Sequence, residues 1–143
     1  MSQPVPMSVP AWLRSAGLVA LGGAVGTGAR AVLEAAAPAA PGGVPWTTFG
    51  INLLGSFVLG VLLESLARRG TDQGRRRVAR LLCGSGLLGG FTTYSAFVAE
   101  TERLLAGGAT LTGMGYAVAS VVIGVGSAVL GIVVARRAHG GER

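Results

Sequence analysis

The chain has no lysine, one cysteine (Cys83), one histidine (His139) and only six acidic residues in 143. Each shortage excludes something. A single cysteine rules out an intramolecular disulfide and a cysteine-cluster metal site, and its default state is a buried, inert thiol. A single histidine in an arginine-flanked tail supplies no Ser-His or Cys-His pair. No carboxylates are paired within the apolar runs, so an enzyme is not expected, and His139 reads as a solvated residue. Charged residues make up 13% of the chain, about half the share of an average soluble domain.

What is abundant is apolar. Half of the residues are hydrophobic, 25 are glycine, and the mean hydropathy is +0.60. A helix needs roughly 20 residues to cross a bilayer, and four such runs stand at 15–33, 49–67, 81–99 and 115–135. The expectation is an all-α membrane protein, one four-helix domain over 1–143. The charge-free, Pro/Gly/Ala-rich stretch Ala35 to Pro45 reads as a loop. Met1 to Pro10 is polar and proline-bearing, with no removable signal peptide.

All 12 basic residues are arginine, and they are distributed unevenly. With four crossings, both termini and the second loop share one side. That side holds Arg14, Arg68, Arg69, Arg75, Arg76, Arg77, Arg80, Arg136, Arg137 and Arg143, against Arg103 opposite, with Arg30 undecided. Basic loops stay in the cytoplasm, which places both termini there and the protein in the cell membrane. Nucleic acid is not expected as a partner, because these arginines flank spans and form no basic face interleaved with aromatics. Trp12, Trp46 and Tyr116 stand near span ends, where amphipathic rings anchor at headgroup level.

Small and polar residues occupy particular faces of the spans. Gly22-x-x-x-Gly26 and the series Ser120, Gly124, Ser127, Gly131 read as close helix contacts. Asn52 and Ser56 lie one turn apart, with Gly60 on the same side. Two readings of Asn52 stand: an amide that glues neighbouring helices, which the spacing by itself favours, or a donor facing an anion conduit. Four short, glycine-rich helices leave little room for a pore within one subunit, so a dimer or larger assembly is expected.

The third run carries Gly89-Gly90-Phe91-Thr92-Thr93-Tyr94-Ser95-Ala96-Phe97 at mid-depth. In lipid an unpaired backbone group costs several kcal/mol, so a helix breaks only where protein or a polar cavity receives the freed groups. Hydroxyls at Thr92, Thr93 and Ser95 cluster there with the rings of Phe91, Tyr94 and Phe97, whose positive edges can support a small anion. Glu34, Glu64, Glu100 and Glu102 lie toward span ends. A proton-coupled exporter of the small multidrug-resistance type, the alternative function, needs a central carboxylate instead.

Three motifs in order, Gly22-Gly23-x-x-Gly26-x-x-x-Arg30, Asn52-x-x-Gly55-Ser56-Phe57-x-x-Gly60 and Gly89-Gly90-Phe91-Thr92-Thr93-Tyr94-Ser95-x-Phe97-x-x-Glu100, resemble those of the small four-helix fluoride channels called Fluc or CrcB. The resemblance covers essentially the whole chain. It implies a fluoride-selective channel that exports fluoride passively and confers fluoride resistance. The assembly it implies is an antiparallel dimer with two fluoride pathways and a third helix broken in mid-membrane. A structural Na+ at the dimer centre would be held by the backbone carbonyls of Gly89 and Thr92. The resemblance also implies anion-lining rings at Tyr94 and Phe97, with Asn52, Ser95 and Ser120 on the pathway and Arg30 and Glu100 near its entrances. Tyr94 stands where the family has phenylalanine, and Ala96 where a hydroxyl usually follows Ser95, so one pore is expected to be altered. The arginine bias opposes insertion of identical subunits both ways. A heterodimer with a related subunit of reversed bias is therefore expected, with a homodimer as the alternative.

Overall fold

The computed structural model describes residues 10–140, with the side chains of His139 and Gly140 outside the description. The expectations for Met1 to Val9, Arg143 and the His139 side chain thus fall outside the described residues. Every regular element among those described is helical: α1 (Ala11–Ala36), α2 (Trp46–Arg68), α3 (75–91), α4 (Tyr94–Ala106) and α5 (Thr110–Gly140). Within α3, Arg80–Leu88 is π-helical. Four stretches are long and apolar enough to cross a membrane: Ala11–Ala36, Trp46–Arg68, Arg75–Ala106 and Thr110–Ala138. In hydrocarbon a helix meets its own backbone hydrogen-bonding demand, so uninterrupted apolar runs take this form. The chain is a multi-pass membrane protein.

The helices extend beyond the apolar runs that announce them, most of all the third. The arginine-rich stretch expected as a loop is mostly helix: only residues 69–74 connect α2 to α3, and Arg75, Arg76, Arg77 and Arg80 form the first turns of α3. Arginine is a good helix former, and its long stem lets the charge leave the apolar zone while the backbone stays helical. The tight connection uses left-handed glycines at Gly70 and Gly74, and the Arg76 guanidinium closes it on the Thr71 carbonyl at 2.9 Å and on the Arg69 carbonyl. At the other end, α4 runs to Ala106 and a three-residue turn leads directly into α5.

Glycines decide which helices touch. A Cβ on Gly22 would strike the Leu82 carbonyl, one on Gly26 the Leu87 carbonyl, and one on Gly90 the Gly23 carbonyl, so α1 and α3 approach backbone to backbone, running parallel. The same logic joins α2 to α5. A Cβ on Gly60 would meet the Ala128 carbonyl and one on Gly131 the Phe57 carbonyl, while Ser127 Oγ donates to the Leu53 carbonyl at 2.9 Å. Small residues permit this approach where apolar burial gives no drive between lipid-bathed helices. Gly124, on the same α5 series, faces open space, so the contact there is interrupted. At the arginine-rich end Glu64 accepts from Arg68 at 2.8 Å and Arg136 at 3.0 Å, which ties α2 to α5.

Candidate ion pathway at the broken third helix

The third span breaks at Thr92 and Thr93, where the backbone is extended (ψ 154° and 124°). The local sequence explains the position. Two consecutive β-branched residues come one position after a pair of glycines, with Phe91 between, and threonine is a good N-cap. Thr93 Oγ1 accepts from the Ala96 N–H at 3.1 Å and so starts α4. Thr92 ends α3, its N–H and its Oγ1 both donating to the Leu88 carbonyl at 2.9 Å. Its methyl group occupies the space where a Cβ on Gly55 would lie, which seats α2 directly against the break.

The freed backbone groups are received by specific side chains. Asn52 brackets Thr93: its Oδ1 accepts from the Thr93 N–H at 2.8 Å and its Nδ2 donates to the Thr93 carbonyl at 3.1 Å. The Gly90 carbonyl accepts from Thr27 Oγ1 at 3.3 Å and Arg30 Nε at 3.4 Å. Arg30 also holds Glu34 at 2.9 Å. Asn52 is therefore helix glue, and the second hydrogen of its amide is left unused among the described residues.

Beyond the break, α4 presents Tyr94, 79% exposed, and Ser95, also exposed, whose Oγ lies 3.2 Å from Thr93 Oγ1. Rings continue from there in series. Tyr94 and Phe97 have centroids 5.9 Å apart, Phe97 and Tyr116 5.7 Å, Phe49 and Tyr116 6.5 Å, and Trp46 and Phe49 5.9 Å. Trp12 and Trp46 are exposed, at 67% and 69%, as anchors should be, but Tyr116 is only 4% exposed. The headgroup-anchor reading of Tyr116 is corrected: its ring fills the space between α2, α4 and α5. Its hydroxyl donates to Glu100 Oε2 at 3.0 Å, and Thr48 Oγ1 donates to Glu100 Oε1 at 2.7 Å.

Ser120 lies one turn along α5 from Tyr116, and its Oγ is buried with no hydrogen bond of good geometry among the described residues. Glu100, Glu34 and Arg103 line an open cavity of about 520 Å³ roofed by the loop after α1. Arg30 reaches from that cavity's Glu34 inward to the break. The Thr92 carbonyl, at the end of α3, accepts no hydrogen bond among the described residues.

The structure thus joins Asn52, Thr92 and Arg30 at the break and Phe97 to Glu100 through Tyr116. Tyr94, Ser95 and Gly89 turn to the outside of the chain. Thr27, Thr48 and Tyr116 take part here without any sequence motif that marks them. The i, i+4 spacing of Tyr116 and Ser120 was the one local signal that could have pointed to a polar stripe on α5.

The chain is 53% identical to the fluoride-specific ion channel FluC 2 of Leifsonia xyli subsp. xyli, across 83% of this chain and 81% of that one. It is 51% identical to FluC 1 of Cutibacterium acnes, across 76% of each, and 39% identical to FluC 2 of Nocardia farcinica, across 100% of this chain and 99% of the other. With residues 17–132 matching the family described as CrcB-like protein, Camphor Resistance, and with the broken, asparagine-bracketed third helix in place, the chain belongs to the CrcB family.

Proposed function

We propose that the protein is a fluoride-selective ion channel of the cell membrane, through which fluoride that enters as HF and dissociates in the cytoplasm leaves passively. The observation that carries this reading is the break at Thr92-Thr93, held open by Asn52 and flanked by hydroxyls and ring edges. Fluoride is small and tightly hydrated, so a pore that passes it must replace water with amide, hydroxyl and aromatic-edge donors in a narrow passage. Asn52 offers its unused amide hydrogen, Ser95 and Ser120 their hydroxyls, and Tyr94 and Phe97 their rings. Arg30 attracts the anion toward the break, and Glu100, tied up by Thr48 and Tyr116, presents a carboxylate already occupied by donors.

The functional unit on this reading is an antiparallel dimer. Tyr94, Ser95 and Gly89 face outward at mid-span, where polar groups in contact with lipid are costly and a second subunit covers them. Na+ would sit at the dimer centre on the carbonyls of Gly89 and Thr92. Main-chain oxygens at a half-helix C-terminus suit that ion, and it would supply fixed positive charge that locks the two breaks together. The arginine distribution supports cytoplasmic termini for this chain and a related, oppositely oriented partner.

Proteoliposomes carrying the protein, with a candidate partner where one is needed, test the proposal. Fluoride release at least 100-fold faster than chloride release is the expected result, and equal rates of the two halides would overturn it.

A further inference from the structure

Two acidic residues stand at the arginine-rich end of the described structure, and both are spoken for. Glu64 holds Arg68 and Arg136, and Asp72 holds Arg80 at 2.6 Å. Arg14, Arg69, Arg75, Arg77 and Arg137 are exposed there, with no ion pair among the described residues. One pair is brought together across two helices: Arg77 Nη2 donates to Ser15 Oγ at 3.4 Å, which joins the start of α3 to the start of α1 beside Arg14. Trp12, 67% exposed, stands at the same level of α1.

We propose that this α1–α3 seam, with Arg14, Arg77 and Trp12, is a docking surface for anionic phospholipid headgroups. Charge complementarity favours that occupant. Guanidiniums grip phosphate oxygens with two parallel donors, an indole ring belongs at the glycerol level, and the surface lies where helices leave the apolar zone. A lipid phosphate there relieves the mutual repulsion of arginines that make no ion pair among the described residues. The proposal does not depend on what the channel conducts.

The full chain, purified in a neutral detergent, is titrated with phosphatidylglycerol and with phosphatidylcholine, and bound lipid is counted by native mass spectrometry. Phosphatidylglycerol is expected to bind the parent chain about 25-fold more tightly than the R14Q/R77Q variant, roughly fivefold for each arginine. R103Q, altered at the opposite end, should bind like the parent, and R14K/R77K, which keeps the charge but loses the two-pronged grip, should fall between the parent and R14Q/R77Q. The helical circular dichroism and melting midpoint of R14Q/R77Q should match the parent, which separates lost binding from lost folding. Equal affinity for the two lipids, an unchanged titration in R14Q/R77Q, or displacement of the lipid by millimolar inorganic phosphate would each overturn the proposal.

Discussion

Asn52 does the most at the scale of single residues, because one carboxamide satisfies both the N–H and the carbonyl of Thr93. Asn52→Ala leaves both without a partner at a depth where water does not replace them, a loss of about 2 kcal/mol or more. Its denaturation midpoint in detergent should fall, and fluoride release from proteoliposomes should drop to background. Retention of both would show that the bracket is dispensable. The face on which Asn52 lies was legible from its spacing to Ser56 and Gly60. Its partner was not, since Thr93 is 41 residues away and nothing local marks it. Tyr116 shows the converse: near a span end a ring suggests an anchor, and only the packing of α2, α4 and α5 around it decides that it is buried.

Among the elements, the break is a junction of two helices, and Thr93 begins the second. Thr93→Val keeps the shape but removes the oxygen that receives the Ala96 N–H, at a cost of about 1 kcal/mol. Hydrogen exchange at Ala96 should quicken while the middle of α5 stays protected. The connection between α2 and α3 carries a pH-dependent contribution, because the hydrogen bond from Arg80 holds the Asp72 carboxyl below its ordinary range. A lowered value means that the pair stabilises the loop above about pH 4 and that this is lost as acid titrates the carboxylate. Asp72→Asn should therefore quicken proteolysis at residues 69–74 at neutral pH, and its difference from the parent should shrink as the pH falls below the ordinary carboxylate range. The glycine motifs announced close contacts in α1 and α5, and Gly22, Gly26 and Gly131 make them. Gly124 faces open space, because a stripe of small residues permits contact along its length without saying where the neighbour departs.

For the whole molecule, the proposed orientation rests on the uneven arginines. Ten stand at one end of the spans, against Arg103 at the other with Arg30 reaching inward from Glu34 on that same side, a bias that favours one direction of insertion. A protease-cleavable tag on the C-terminus, expressed from this gene alone, should be cut in inside-out vesicles and protected in right-side-out ones. Equal cutting in both, together with full fluoride release, would replace the proposed heterodimer with a homodimer of mixed orientation. The outward-facing Tyr94 and Ser95 belong to the same question. A second subunit that covers them should protect an engineered cysteine at Ser95 from membrane-permeant thiol reagents only when the partner is co-expressed.

The sequence by itself determined the number of spans, the uneven charge of their two ends and the place where the third would fail as a helix. Hydropathy, arginine position and a Gly-Gly-x-Thr-Thr run are local properties, and the bilayer punishes each locally. Tertiary structure alone decided what receives the broken backbone, which helices run side by side, that Arg30 bends inward to Gly90 and that Glu100 is clasped between Thr48 and Tyr116. Those are pairings between residues far apart in the chain, set by how closely glycine faces let the backbones approach, and only the packed helices fix that distance.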